Sequence, residues 1–410
     1  MSSFTVNQRT YDPPTKPVVV ICLDGSADEY LDCAMARGRM PNLAKMSVHG
    51  WRGFARAAMP TFTNVNNSSI VTGVPPSVHG IGGNFFYDTA SGEEVMMNSS
   101  KFLRAETIFP HAQRAGRKVA VVTAKEKLRD IFASGLISEG GIAFSAEKAN
   151  QAVRETHGIA EVEALVGPTP AIYSGDASLY VLRAGVRMLE RDMADFLYLS
   201  TTDYMQHKHA PEEPEALHFY AAIDDELGRL LGFGAVIGFT ADHGMNAKQQ
   251  PDGSPNVIYL ESELVKQFGD GFRVILPITD PYVAHHGALG SFAQVHLPPG
   301  MEAAKVRDWL LRRSGVTECH ERAIAARLME LPEDRMGDLV VASARDVVLG
   351  RTPAYHDLTA LAGALRSHGG RYEEMVPLIF SKPLNAAYAA KAAGDVRNFD
   401  IFEFTCNGTH

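Results

Sequence analysis

Asp242-His243-Gly244-Met245 ends an apolar run, FGAVIGFTA, and joins two side chains that suit zinc or manganese. The glycine lets the chain turn sharply after them. Asp203-Tyr204-Met205-Gln206-His207 follows a second apolar run, FLYLS. If a helix opens there, residues i and i+4 share a face and both side chains reach one ion. The plainer alternative is that Asp203 caps that helix and His207 is solvated beside Lys208 and His209. Ser367-His368-Gly369-Gly370 and Asp24-Gly25-Ser26 are weaker signals singly, because such loops are commonly turns. Together the four segments bring three aspartates and three histidines to strand ends or the loops beside them. A hydrolytic pair of ions about 3.5–4 Å apart needs this many hard ligands, divided into two sets.

Short β-rich runs alternate with amphipathic stretches, and these must position the ligands. PVVVICLDG, RKVAVVTAKEK, ADFLYLSTTD, FGAVIGFTADHG and MVPLIFSK read as strands. SLYVLRAGVRMLERD and EALHFYAAIDDELGRLL carry apolar residues at helical spacing. Near-continuous apolar strands separated by helices predict a parallel sheet covered on both faces. Four of the strands end in Asp24, in Lys125 with Lys127, in Asp203, and in Asp242 with His243. Ligands of open parallel sheets bind beyond the carboxyl ends of the strands, so these groups are expected to converge. Lys125 and Lys127, read as alternate residues of an extended strand, would point the same way. They would suit a second anionic group on a substrate; the alternative is a solvated loop around Glu126. Residues 255–351 have a different texture, with FRVILP, SFAQVHL and DLVVAS around the helix MEAAKVRDWLLRRSG. The expected fold is α/β: a catalytic core over 1–254 and 352–410, with a smaller α+β cap or insertion over 255–351.

The chain has 410 residues and a formal net charge of -9. That length suits one large domain and a smaller one, and buries a sizeable core without staples. Net acidity argues against a broad nucleic-acid surface, which needs clustered Lys and Arg. Cys22, Cys33, Cys319 and Cys406 form no C-x-x-C pair, which fits a reducing cytoplasm. The N-terminus is polar and lacks the apolar stretch of a signal peptide. No apolar run approaches the roughly 20 residues that cross a bilayer, so a soluble protein with no membrane partner is expected.

In order along the chain these motifs resemble the alkaline-phosphatase superfamily, in its nucleotide pyrophosphatase/phosphodiesterase-like branch. Met59-Pro60-Thr61-Phe62-Thr63-Asn64-Val65-Asn66 resembles that branch's nucleophile motif, with Thr63 on the nucleophile position. His79-Gly80-Ile81 followed by Asn84 resembles the segment whose asparagine holds a phosphoryl oxygen. The resemblance implies an alkaline-phosphatase-like fold and two Zn2+, with Mn2+ or Fe2+ as competitors. One ion would be held by Asp203, His207 and His368, the other by Asp24, Asp242, His243 and Thr63. One departure is Gln206, where the family often has glycine. Within the branch, T-F-T-N, Gly82–Asp88 (GGNFFYD) and Thr123–Lys127 (TAKEK) are similar to the phosphonoacetate-cleaving group. That similarity implies a small-molecule substrate, phosphonoacetate, cut at its C–P bond through a phosphothreonine. Asn84 would then be catalytic and Lys125 and Lys127 would bind the substrate carboxylate. Tyr204 and His286 are further candidates for substrate contact, with His285 beside the latter, and Asn66 is expected to brace the nucleophile turn. The rival reading is a phosphodiesterase or nucleotide pyrophosphatase with the same metals. No C-x-P-x-R sulfatase motif is present. Oligomeric state stays open at this level, a homodimer being compatible with the sequence.

Overall fold

A computed structural model gives the fold; the structure describes residues 2–279, 286–359, 361 and 363–410. The strands that matter are β1 (Val18–Cys22), β2 (Trp51–Arg56), β3 (Val119–Thr123), β4 (Ile142–Ser145), β5 (Phe196–Ser200) and β6 (Val236–Thr240). Later in the chain come β7 (Arg273–Ile275), β8 (Phe292–His296), β9 (Val316–Glu321), β10 (Leu339–Ser343) and β11 (Met375–Phe380).

A seven-stranded sheet runs in the order β2-β11-β6-β1-β5-β3-β4. From β6 to β4 its neighbours are parallel, whereas β11 is antiparallel to β6 and to β2. β1, β3, β5 and β6 are buried at every residue. Successive side chains of a strand point to opposite faces, and the two faces form separate cores. Val19, Ile21, Leu197, Leu199 and Phe239 pack on one side. Val18, Val20, Phe196, Tyr198 and Val121 pack on the other. Helices cover both, including Gly175–Glu190 and Pro214–Gly232 on the first face and Ile401–Asn407 on the second.

Register decides where the chemistry falls. Thr240 pairs with Cys22, Cys22 with Ser200, Ser200 with Thr123, and Thr123 with Ser145. The carboxyl ends of five parallel strands therefore lie in one row, and the loops after them begin side by side. A second, antiparallel sheet in the order β7-β8-β10-β9 lies wholly within residues 273–343. Its core includes Val274, Phe292, Val295, Leu339 and Val341, and also takes in Ala58, Met59, Phe62 and Val65 from the segment around Thr63. Among the described residues no helix is long and apolar enough to cross a membrane.

One expectation needs correction. β3 stops at Thr123, and a helix begins at Glu126 with Lys125 at its N-cap, so strand alternation does not orient the lysines. MVPLIFSK is a strand as expected; it runs antiparallel to both of its neighbours, so the sheet is mainly parallel.

Candidate active site

Thr63 opens the helix Thr63–Thr72, which is buried along its whole length despite its sequence TNVNNSSIVT. The helix N-terminus carries partial positive charge, which favours an anionic oxygen there. Two of its asparagines, Asn66 and Asn67, brace the site. Asn67 lies four residues on, on the same face. Its Nδ2 donates to Asp242 Oδ2 at 2.9 Å, and its Oδ1 accepts from Tyr198 Oη and Ser200 Oγ at 2.7 and 2.8 Å. Asn66 Nδ2 donates to Ala58 O at 2.9 Å, and Asn66 Oδ1 accepts from Ala58 N–H at 2.6 Å and Asn398 Nδ2 at 3.1 Å. These bonds close the turn that presents Thr63.

The three aspartates and three histidines divide into two compact groups. Asp203, His207 and His368 form one; Asp24, Asp242 and His243 form the other, and all six are buried. Each imidazole is oriented by a backbone carbonyl. His207 Nδ1 donates to Arg366 O at 2.7 Å, His243 Nδ1 to Gly244 O at 2.9 Å, and His368 Nδ1 to Thr61 O at 2.7 Å. A carbonyl only accepts, so Nδ1 carries a proton, and in the neutral ring Nε2 keeps its lone pair. Those lone pairs meet carboxylate oxygens. His207 Nε2 is 2.9 Å from Asp203 Oδ2, and His243 Nε2 is 3.3 Å from Asp24 Oδ1. Both Asp24 oxygens are buried without a hydrogen-bond partner. Acceptors facing acceptors inside a protein need a proton or a cation between them, and the donor set, three imidazoles and three carboxylates, suits divalent transition metals.

The electrostatics agree. Burial and the nearby Asp203 and Asp242 charges raise the Asp24 pKa well above the usual carboxylate range. Asp242 is pushed up to about 6, chiefly by burial. For Asp203 burial acts upward, yet His207 and Lys125 outweigh it and hold the carboxyl well below its usual range. Burial, with His243 and His207 nearby, depresses His368.

Asp203 is the residue before the short helix Tyr204–Lys208, but its side chain makes no capping bond and turns instead to His207. Gln206, where glycine was noted as usual, is buried; its Nε2 donates to Ser26 Oγ and Tyr220 Oη, each at 3.0 Å. It thereby ties the Asp203 segment to the loop after β1.

A small cavity of about 20 Å³ lies over these groups. Thr63, Asp203, His207 and His368 line one part of it; Asn84, Lys125, Lys127, Ile278 and His286 line the rest. Thr63 Oγ1 is 3.3 Å from His243 Nε2. Asn84 is held from the second sheet's side: its N–H donates to Pro277 O at 2.7 Å. The lysines reach the cavity because the chain turns into the helix Glu126–Phe132. Glu126 is anchored outward, accepting from Ser145 Oγ and Arg129 Nε at 2.6 Å each, while Glu147 Oε2 accepts from its N–H at 2.8 Å. Lys125 Nζ lies 3.8 Å from Asp203 Oδ1. His286 is buried, its ring stacked on His207 at a centroid distance of 4.9 Å. Tyr204 is not among the lining residues; its ring lies 6.1 Å from that of Tyr173. His285 lies outside the described residues. Asn67 and Ile278 were not singled out from the sequence. The i+4 spacing from Thr63 could have flagged Asn67, whereas nothing local distinguishes Ile278.

A profile of the type I phosphodiesterase / nucleotide pyrophosphatase family matches residues 18–370. The crystal structure of phosphonoacetate hydrolase from Sinorhizobium meliloti 1021 in complex with phosphonoformate is similar over 100% of both chains, with 48% identity and a TM-score of 0.94. The complex of that enzyme with phosphonoacetate gives 47% identity and the same TM-score. Human ectonucleotide pyrophosphatase / phosphodiesterase 5 covers 95% of this chain, and 94% of it is covered, at 17% identity and a TM-score of 0.62, a likeness of fold alone. A venom phosphodiesterase of Naja atra is 33% identical over 90 residues. That match takes in 22% of this chain and only 11% of the length of the venom enzyme.

Proposed function

This chain belongs to the type I phosphodiesterase / nucleotide pyrophosphatase family, and from that premise we propose that it hydrolyses the C–P bond of phosphonoacetate to acetate and phosphate. The observation that carries this reading is one cavity lined by Thr63, the Asp203–His207–His368 group and two lysines, with the buried Asp24–Asp242–His243 group behind Thr63. Three aspartates and two lysines leave one net negative charge. Two divalent cations would turn this into three positive charges, matching a dianionic phosphonate with a carboxylate.

Two divalent ions, zinc in this reading, held by Asp203, His207 and His368 and by Asp24, Asp242, His243 and Thr63, would supply Lewis acidity that lowers a hydroxyl pKa and offsets phosphoryl charge. Thr63 Oγ1 loses its proton and attacks phosphorus in line, forming a phosphothreonine as the P–C bond breaks. The electron pair of that bond passes to carbon and spreads into the carboxylate as an enolate. Water protonates the carbon to give acetate, and the hydroxide left behind takes up the proton that Thr63 released. A second water attacks phosphorus, releasing phosphate and restoring the Thr63 hydroxyl. Asn84 donates its amide N–H to a phosphoryl oxygen. Lys125 and Lys127 face the carboxylate, whose charge grows only as the bond breaks, so they favour the transition state over the bound substrate. The cap, residues 255–351 in this reading, adds Ile278 and His286 to the cavity wall.

The lysines give the selective test. Lys127→Ala is expected to lower kcat/KM for phosphonoacetate at least tenfold more than for p-nitrophenyl phosphate, which has no carboxylate, since a lost charge-assisted contact is worth about 1.5–3 kcal/mol. Equal losses on both substrates would remove the carboxylate role. Asn84→Ala is expected to reduce kcat by about 10²–10³-fold, as for other donors to a developing oxyanion. Its metal content should stay at the native value; a drop in both together would assign Asn84 to the metal centre instead.

A further inference from the structure

Lys248 and Glu373 form an ion pair, Nζ to Oε1 2.8 Å, with neither side chain exposed. Burying both charges forfeits their hydration, so packed apolar residues would serve a core as well or better. This pair instead joins three segments. Glu373 Oε1 also accepts from Asn246 Nδ2 at 2.6 Å, and Oε2 accepts from the Gly370 N–H at 3.0 Å. The Glu373 carbonyl accepts from the Gly244 N–H at 2.8 Å. Lys248 Nζ donates to Arg345 O at 2.7 Å, and Asn246 Oδ1 accepts from Arg345 Nε at 2.8 Å.

Gly244 follows His243, Gly370 stands two residues after His368, and Arg345 belongs to the segment that carries the second sheet. His243 and His368 sit in different ligand groups, yet their rings stack with centroids 3.6 Å apart and planes 8° from parallel. That spacing depends on two loops far apart in sequence. A short antiparallel pairing, Asn246 with Ser367 and Ala247 with Arg366, links them on one side of Glu373. An apolar residue at 373 would strand the Gly370 N–H and leave the Asn246 Nδ2 only its 3.2 Å bond to Tyr372 O. A carboxylate takes both, and Lys248 balances its charge.

We infer that the Lys248–Glu373 pair is a positioning device for the two-metal centre, fixing His243 against His368 and seating the Arg345 segment on their loops. The inference rests on the two-metal reading proposed above. The test compares metal-stripped wild type with Lys248→Met/Glu373→Gln, which removes both charges together and leaves neither stranded. Zn2+ affinity is measured by chelator competition, the Co2+-loaded visible spectrum is recorded, and Tm is followed. Leu230→Ala, a buried core change near the start of β6, serves as a control for lowered stability.

The double variant is expected to fold, to lose affinity for at least one ion by roughly 10–100-fold, as when other supporting residues of metal sites are changed, and to shift its Co2+ bands. Leu230→Ala should lower Tm and keep both metal properties. Asn246→Ala, which strands no charge, should move affinity and spectrum in the same direction by less, and it decides the matter if the double variant does not fold. Native affinity and an unchanged Co2+ spectrum beside a lowered Tm would reduce the pair to an ordinary stabilising contact. A wild type that takes up no ions would overturn the two-metal reading itself, and this inference with it.

Discussion

The Thr63→Ala protein is expected to keep its metal ions and lose turnover of phosphonoacetate by about 10⁴-fold or more, the scale seen when an attacking hydroxyl is removed. Thr63 begins a buried helix, lies 3.3 Å from His243 Nε2 and borders the cavity, so the hydroxyl is the attacking group that the geometry offers. Alanine suits a helix and creates only a small void, so the fold should persist. Phosphate release measures the loss, and elemental analysis measures the ions. Acid-quenched native enzyme should also yield a peptide carrying one phosphate on Thr63. Substantial turnover by Thr63→Ala would mean that water attacks phosphorus directly, and no phosphothreonine would then form.

Asp24→Asn should have a comparably large effect, with an opposite sign on stability. Both Asp24 oxygens lack a hydrogen-bond partner, and Asp203 and Asp242 crowd the same volume. The carboxylate therefore serves a cation rather than the fold. Activity is expected to fall by more than the roughly 10–100-fold typical of changing a residue that merely supports a metal site. The metal-free variant, in contrast, should melt above the metal-free wild type, on the order of 1 °C for each kcal/mol relieved in a chain of this length. The sign follows from the raised pKa. A carboxyl that binds its proton more tightly when folded lowers stability as pH rises from its unfolded value, about 4, towards the raised one. At neutral pH that cost is present, and asparagine removes it. Added Zn2+ should reverse the order of the two melting temperatures. A metal-free Asp24→Asn protein that melts below the wild type would show that Asp24 makes structural contacts after all.

The sequence disclosed the site more fully than the mechanism of its assembly. Asp24, Asp203 and Asp242 were readable because each follows a run of apolar residues buried on both faces, and such runs end where ligands bind. β2 and β4 escaped notice for local reasons. Trp51–Arg56 is a half-exposed edge strand without a continuous apolar run, and Ile142–Ser145 is four residues long after two glycines. The lysines were placed at the right edge of the sheet through a strand alternation that the chain does not use; what turns them inward is Glu126, anchored on β4 and Arg129. Taken alone, Asp203 read slightly better as a helix cap, and only the position of His207 decides between them. Lys248 and Glu373 are 125 residues apart and look like surface charges in sequence. Their pairing exists only once the two metal-ligand loops have folded against each other.

The most direct test of the account is phosphate and acetate release from phosphonoacetate by zinc-loaded protein, beside bis(p-nitrophenyl) phosphate as a diester. The account predicts equal amounts of phosphate and acetate, abolished by chelator and restored by Zn2+, with much slower cleavage of the diester. Diester cleavage without phosphonoacetate turnover would contradict it, leaving a phosphodiesterase in which Lys125 and Lys127 meet no carboxylate.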